Sequence, residues 1–144
     1  MLEFGNREAR ADYVARPSVY AIIAEPEGRV AVVRTPKGIF LPGGGIESGE
    51  SAEQALIREV MEECGMDVRI GMLIGQASEL VYSRSKSTHF DKQSCFFDAV
   101  VITTGLPVVE VDHELEWLLA AEALDCLVHE SHAWGIEEWI RYFQ

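Results

Sequence analysis

Apolar residues cluster in two runs near the start of the chain, and both runs predict strands. Pro17 to Ala24 and Arg29 to Arg34 are rich in β-branched and other apolar residues. Glu25 to Gly28 lies between them and is made of residues that favour turns. We therefore expect the two runs to form a β-hairpin.

A glycine-rich stretch follows, and after it the pattern becomes that of a helix. Gly43 to Gly49 contains four glycines, a composition typical of a loop whose backbone can approach a ligand closely. From Ser51 the chain continues in helix-forming residues without proline or glycine until Gly65. Ser51 and Gln54 have the spacing of a capping box, and Gly65 is a typical helix stop. The sequence predicts a loop that leads directly into a helix.

The rest of the chain alternates between strand and helix patterns. The polar segment from Ser83 to Lys92 is expected to be a loop. The predicted strands are Val68 to Gln76, Glu79 to Tyr82, Ser94 to Thr103 and Glu116 to Leu119, and the predicted helices are Glu122 to Leu127 and an amphipathic helix with Ile136, Trp139, Ile140 and Phe143 on its apolar face. Interleaved strands and helices predict an α/β (α+β) fold in which helices cover a mixed sheet. A length of 144 residues fits one domain over residues 1–144.

Composition and charge narrow the classes of function. Hydrophobic residues make up 48% of the chain and charged residues 25%, as in soluble globular proteins. The net charge of −12 disfavours nonspecific binding to nucleic acid polymers or to anionic membranes. The sequence contains no long apolar segment and no signal peptide, so we expect a cytoplasmic protein. Three cysteines without a CxxC pair suggest neither a disulfide framework nor a zinc site.

The predicted helix after Ser51 carries an acidic face. At about 100° per residue, Glu59, Glu62 and Glu63 fall within an arc of about 100°. The adjoining arc is apolar and consists of Leu56, Ile57, Val60, Met61 and Cys64. Clustered carboxylates repel one another unless a divalent cation neutralises them, and oxygen ligands alone favour Mg²⁺ or Mn²⁺. An ordinary solvated helix face is the alternative, but the preceding glycine loop, which can hold phosphate oxygens, favours the metal site.

These residues also resemble a known family motif. Gly44, five residues, Glu50, seven residues and then Arg58 to Met66 match all nine specified positions of a Nudix box, which here spans Gly44 to Met66. The preceding segment from Phe40 to Gly44 is also similar to the family. The resemblance implies an α/β/α sandwich with a loop-helix-loop motif, and Mg²⁺- or Mn²⁺-dependent hydrolysis of a diphosphate linkage in a nucleoside diphosphate derivative.

The resemblance also implies roles for individual residues. Glu59, Glu62 and Glu63 would be metal ligands, Arg58 would pair with Glu50 to brace the loop, and Gly43 and Gly44 would lie beside the substrate phosphates. Family members differ in which glutamate deprotonates the attacking water. It could be Glu59 or Glu62 in the box, or an acidic residue of the later segment that contains Glu110, Asp112 and Glu114. Of these later residues, Glu110 and Glu114 are the candidates for an extra ligand or base, unless the segment is simply a solvated acidic loop.

Candidate residues for substrate binding lie after the box. Tyr82 is placed 16 residues past Met66, an offset similar to that in diadenosine polyphosphate hydrolases of the family, and Tyr82, Phe40 or Phe90 could stack on a base. Arg84 belongs to a basic segment with Lys86 and Lys92 that could hold a polyphosphate tail. A solvated loop is the alternative.

Three kinds of function remain open. The leading hypothesis is a pyrophosphohydrolase acting on a small nucleotide, with a dinucleoside polyphosphate hydrolase as its variant. The second is a noncatalytic Nudix module that senses a nucleotide, which would not need all three glutamates. The third is the isomerase branch that acts on isopentenyl diphosphate, which would require a role for Cys95. The family often forms homodimers, although no interface can be identified from the sequence.

Overall fold

The computed structural model describes residues 1–143. It contains eight strands and three helices. The strands are β1 (Leu2–Phe4), β2 (Tyr13–Ile23), β3 (Arg29–Thr35), β4 (Gly38–Phe40), β5 (Gly43–Gly45), β6 (Asp67–Ser83), β7 (Thr88–Thr103) and β8 (Glu114–Leu119). The helices are α1 (Ala52–Cys64), α2 (Ala120–Cys126) and α3 (Glu130–Tyr142).

The strands form two sheets. The larger sheet has the order β1-β6-β7-β2-β5 and is mixed, since β2 runs parallel to β7 while β6 and β7 are antiparallel. The smaller sheet has the order β4-β3-β8 and is antiparallel. Because β5 pairs with the middle of β2, the glycine-rich segment is anchored at the edge of the larger sheet.

Alternate residues of the central strands divide the core in two. Val19 and Ala21 of β2 pack with Leu56 and Val60 of α1 on one side of the sheets. Residues of β2 with the opposite parity pack with α2 and α3 on the other side, in a cluster that includes Tyr20, Ile22, Ala123, Ile136 and Trp139. Helices therefore cover both sides of the sheets, and the predicted α/β/α sandwich with a mixed sheet is confirmed.

Helix α1 has the ends that its sequence predicts. The Ser51 hydroxyl accepts a hydrogen bond of 3.1 Å from the Gln54 N–H, and the Gln54 side chain accepts one of 2.9 Å from the Ser51 N–H. Gly65 ends the helix with a φ of 61°, a left-handed conformation that favours glycine. One apolar position was wrongly predicted, since Ile57 is exposed.

The predicted hairpin between residues 17 and 34 is wrong. The chain does turn after β2, but β2 and β3 enter different sheets and are joined only by an isolated bridge between Ala24 and Val30. The reason is that the second half of β2 and the middle of β3 are buried on both faces, so that each strand lies inside its own sheet. Strand β2 instead pairs with β7, and eleven residues of β2 are paired in parallel. This long-range pairing takes the place of the local pairing between β2 and β3.

The predicted loop from Ser83 to Lys92 is also wrong for most of its length. Strand β6 continues without a break to Ser83, and β7 begins at Thr88, so only the turn from Arg84 to Ser87 is irregular. Cross-strand pairing places Tyr82 opposite His89 and Glu79 opposite Lys92. Polar side chains are accommodated here because this end of the hairpin is partly exposed to solvent. Among residues 1–143, no helix has both the length and the apolar character needed to cross a membrane.

Candidate active site

Two glutamates of α1, Glu59 and Glu63, lie against the glycine-rich strand β5. A Cβ atom added to Gly44 would lie 2.8 Å from Cδ of Glu59, so only glycine lets the loop backbone approach this carboxylate so closely. The N–H of Gly43 donates a hydrogen bond of 2.9 Å to Oε1 of Glu63. The box thus places its carboxylates directly against the backbone that would lie beside a phosphate group.

Glu63 is the most buried of the three glutamates, with 8% of the residue exposed. Its Oε2 lies 3.0 Å from Nδ1 of His113. Burial raises the pKa of Glu63 to about 8; the Gly43 hydrogen bond opposes the shift, and Glu59, Glu110 and Glu62 increase it. This carboxyl group therefore has a raised pKa because it is buried among other carboxylates.

Arg58 connects the helix to the loop that precedes it. Its Nε and Nη2 donate to the two carboxylate oxygens of Glu50 at 2.7 and 2.9 Å, and Nη2 also donates to the carbonyl of Gly45 at 3.1 Å. The Arg58 hydrogen bond is the main reason that the pKa of Glu50 falls to about 2. Nη1 contacts Glu59 at 2.9 Å and Glu62 at 3.4 Å. One guanidinium thus braces the loop and partly neutralises two glutamates of the box.

The segment after β7 adds a further carboxylate. The carbonyl of Glu62 accepts hydrogen bonds from the N–H groups of Val109 and Glu110, at 2.9 and 3.1 Å. The side chains of Glu110, Asp112 and His113 have potential ligand atoms that all lie within 4.8 Å of one another. We refer to Glu59, Glu62, Glu63 and Glu110 as the carboxylate cluster.

Glu114 is not part of this cluster. It is the first residue of β8, in which Leu115 and Trp117 pack toward α1. Because side chains alternate along a strand, Glu114 lies on the opposite face of the sheet, where Arg34 is its partner in the pairing of β3 with β8. Of the two acidic candidates from the later segment, the structure brings Glu110 to the box and not Glu114.

The carboxylate cluster suits a hard divalent cation. All of its donors are carboxylate oxygens, the type of ligand that Mg²⁺ and Mn²⁺ prefer. Burial raises the pKa of Glu59 even though Arg58 opposes the shift, and Glu62 and Glu110 add to it. Arg58 contacts Glu59 and Glu62 but leaves Glu63 and Glu110 without an arginine or lysine partner in the described chain. An added cation would remove the repulsion that remains.

Tyr82 and Arg84 line a cavity of about 540 Å³, which we call the Tyr82 cavity. Tyr82 is 53% exposed, and Phe40 lines the same cavity. His129 also lines it, with Nδ1 held at 3.2 Å from Oε2 of Glu79. Phe90 lies outside the Tyr82 cavity in a narrower adjoining groove. The volume of the Tyr82 cavity is in the range of small-molecule sites, and its walls offer aromatic rings for stacking.

Comparison with known proteins assigns the family. Residues 14–143 match the family model described as the NUDIX domain. The chain belongs to the Nudix family. A Nudix hydrolase from Nitrosomonas europaea has a similar structure, with a TM-score of 0.72 and 22% sequence identity, over 89% of this chain and 90% of that one. At this level of identity the similarity establishes the fold.

Curated Nudix relatives match parts of the chain. An ADP-ribose pyrophosphatase from Methanocaldococcus jannaschii is 28% identical over 114 residues, which cover 64% of this chain and 65% of the relative. An RNA pyrophosphohydrolase from Baumannia cicadellinicola is 45% identical over 64 residues, or 41% of this chain and 40% of the relative. The chain therefore spans less than two thirds of the length of either relative.

Several residues at or near the site were not identified from the sequence. His113 had a weak signal, since it follows Asp112 in the acidic segment already considered. From the sequence, His129 could bind a ligand or transfer a proton, but a structural or surface role was favoured, because its contacts with Glu79 and with the Tyr82 cavity depend on the packing of α3 against β6. Arg16 and Lys37 lie before the box and reach the substrate side only through the fold.

Proposed function

We propose that this Nudix chain is a Mg²⁺- or Mn²⁺-dependent pyrophosphohydrolase that cleaves a diphosphate linkage in a nucleoside di- or triphosphate derivative. The observation that carries the proposal is the close approach of Glu59 to Gly44, with Glu62, Glu63 and Glu110 beside it. Carboxylates that can hold a cation and a backbone that can lie beside phosphate oxygens thus share one site.

In this proposal, the chain's own residues would provide binding, orientation and proton transfer. Glu59, Glu62 and Glu63 would hold the cation, which when bound stabilises negative charge on phosphoryl oxygens and lowers the pKa of water. Arg58 holds Glu50 and Gly45, and so keeps the loop in the conformation that leaves Gly44 open to a phosphate group. Attack by water on phosphorus releases a proton, and the bond to the leaving phosphate breaks.

A carboxylate of the cluster would accept that proton. Glu110 and Glu62 are both candidates, because a direct hydrogen bond joins the Glu110 N–H to the Glu62 carbonyl and keeps the two residues adjacent. Glu59 is less available than Glu62, since the Arg58 Nη1 hydrogen bond to Oε1 of Glu59 is 2.9 Å long, whereas that to Oε2 of Glu62 is 3.4 Å. Glu114 is not proposed as the base because it lies on the other face of β8.

The nucleoside would occupy the Tyr82 cavity. Phe40 joins the cavity to the glycine-rich strand, since it lies only three residues before Gly43. Tyr82 and Phe40 would stack on the base, and Arg84 would contact a phosphate or sugar group. A dinucleoside polyphosphate is a second candidate substrate, supported by the exposed Tyr82 ring at the mouth of the site.

A panel of substrates tests the activity. Purified protein with Mg²⁺ or Mn²⁺ would be assayed for release of phosphate or pyrophosphate from nucleoside triphosphates, ADP-ribose, nucleotide sugars, dinucleoside polyphosphates and a 5′-triphosphorylated oligonucleotide. Turnover of at least one substrate that is lost in Glu62→Gln would support the proposal. Tight nucleotide binding without turnover would instead indicate a nucleotide sensor. Full retention of activity in Cys95→Ala would remove the isomerase alternative.

A further inference from the structure

A narrow groove beside the Tyr82 cavity has an unusual charge. It encloses about 210 Å³ and is lined by Arg16, Lys37, Lys86 and Lys92, with no acidic side chain among its lining residues. The chain has three lysines, and all three are here. We call this feature the lysine groove. Its four cations contrast with the net charge of −12 of the whole chain.

None of these four cations takes part in an ion pair in the described part of the chain. Elsewhere Arg7, Arg29, Arg34, Arg58 and Arg141 each contact a carboxylate. The chain has 24 acidic and 12 basic residues, so acidic partners are abundant. Four unpaired cations around one small groove repel one another, and an anion in the groove would remove that repulsion.

An aromatic ring helps to position two of the cations. The guanidinium of Arg16 lies 5.2 Å from the centroid of the Phe90 ring, and Nζ of Lys86 lies 5.7 Å from the same centroid. Lys92 similarly lies 5.8 Å from the Tyr20 ring. These distances are within the range of cation–π contacts, which hold a cation in place without neutralising its charge.

The lysine groove lies between the two halves of the proposed site. It shares Arg16 with a depression that is also lined by Glu59 and Gly45. It shares Lys37 and Lys92 with the Tyr82 cavity. A chain of phosphates that ran from a nucleoside in the cavity to the carboxylate cluster would therefore pass these cations.

We propose that the lysine groove is an anion-binding subsite that selects linear nucleoside polyphosphates with three or more phosphates over nucleoside diphosphates joined to a neutral group. This inference rests on the proposed function, because it assumes that the nucleoside and the cleaved linkage occupy the two neighbouring sites. Each added phosphate brings negative charge and acceptor oxygens to the lysines, whereas a neutral sugar brings neither.

Binding without metal tests the groove apart from catalysis. Inorganic tripolyphosphate and pyrophosphate would be titrated into the protein in EDTA by calorimetry. We expect tripolyphosphate to bind at least about tenfold more tightly, and Lys86→Gln and Lys92→Gln each to weaken it several-fold, with a steep salt dependence. Arg69→Gln is the matched control, since Arg69 is an exposed and unpaired cation of β6 outside the groove. Equal affinities, or an equal effect of Arg69→Gln, would overturn the proposal.

Steady-state kinetics then test whether the lysine groove selects nucleotides with longer phosphate chains. The ratio of kcat/KM for ATP to that for ADP-ribose should fall about tenfold in the Lys86→Gln, Lys92→Gln double variant, mainly through KM for ATP, since about 1.4 kcal/mol of phosphate contact corresponds to tenfold. An unchanged ratio in an active enzyme would overturn the groove proposal while the proposed function stands. Lysine-dependent tripolyphosphate binding by a protein that turns over nothing would support the groove and overturn the hydrolase. Preference for a 5′-triphosphorylated oligonucleotide that survives both substitutions would overturn the choice of a small nucleotide.

Discussion

Two buried glutamates, Glu63 and Glu79, have the same kinds of hydrogen-bond partner, but their pKa values shift in opposite directions. Glu63 and Glu79 are both 8% exposed. Each accepts one backbone N–H, from Gly43 at 2.9 Å and from Ser131 at 2.8 Å, and each lies near Nδ1 of a histidine. Yet the pKa of Glu63 rises to about 8, while that of Glu79 falls below its ordinary value.

The surroundings explain the difference. Burial raises the pKa of both groups, but hydrogen bonds from His129 and Ser131 outweigh burial at Glu79. At Glu63 the neighbouring carboxylates Glu59, Glu110 and Glu62 add to the effect of burial. The protein itself therefore satisfies Glu79, which stabilises the fold, whereas Glu63 belongs to the cluster that we propose binds a cation. On that proposal, similar local contacts serve structure in one region and ligand binding in the other.

The largest expected effect is on catalysis at the carboxylate cluster. Glu62→Gln keeps the shape of the side chain and removes its charge, so kcat should fall by about 10²- to 10³-fold, as when one stabilising group is removed from an active site. The melting temperature should stay nearly constant because Glu62 is only partly buried. Steady-state kinetics and thermal unfolding would be compared with Glu53→Gln, an exposed change on the first turn of the same helix. A loss of less than tenfold would contradict the proposed role of Glu62.

Substitution of Arg58 should affect both turnover and stability, since Arg58 contacts the loop and the carboxylate cluster together. Arg58→Ala removes the hydrogen bonds to Glu50 and Gly45, which should displace the loop and lower kcat/KM by about tenfold to a hundredfold. It should also lower the melting temperature. Arg58→Lys should restore little of the turnover or of the melting temperature, because lysine cannot form the bidentate contact with Glu50. Unchanged melting and turnover in Arg58→Ala would show that the loop does not depend on this brace.

Substitution of Glu79 should lower stability more than turnover, the opposite of what is expected for Glu62. Glu79→Ala leaves the buried Ser131 N–H without its acceptor, which should cost about 2 kcal/mol of the free energy of unfolding. For a chain of this size that corresponds to a fall of about 5 °C in the melting temperature. The loss in kcat should be far smaller than in Glu62→Gln. If Glu79→Ala kept full stability but abolished turnover, the contrast between the two glutamates would be wrong.

The smallest expected effect is on the pH dependence of the free energy of unfolding. Because the pKa of Glu79 in the folded protein lies below its ordinary value of 4.5, its ionised form favours the folded state. The difference in unfolding free energy between the wild type and Glu79→Gln should narrow as the pH falls below about 4.5. Urea unfolding at several pH values would measure it. A difference that grew on acidification would contradict the direction of the shift.

Features that depend on short stretches of sequence were predictable. The ends of α1 follow from Ser51, Gln54 and Gly65, and the shared face of its three glutamates follows from helical periodicity. The position of the glutamates beside the glycine-rich segment was also expected, because that segment leads directly into α1.

Features that depend on distant contacts were not predictable. Periodicity alone does not specify which strands pair, so β2 and β3 were wrongly expected to form a hairpin and most of the segment before Lys92 was wrongly expected to be a loop. The lysine groove was only partly anticipated, because Arg16 and Lys37 come from separate parts of the chain. Glu110 and Glu114 could not be distinguished without knowing that β8 starts at Glu114 and which face of the strand Glu114 occupies.

The two hydrogen bonds from Val109 and Glu110 to the Glu62 carbonyl have a practical consequence for protein engineering. They join main-chain atoms, so the anchorage of the segment is compatible with any side chain except proline at positions 109 and 110. A library that randomises positions 110 to 113 would vary the groups presented to the cluster while this attachment point stays in place. New reactivities could then be selected on a scaffold that needs no redesign.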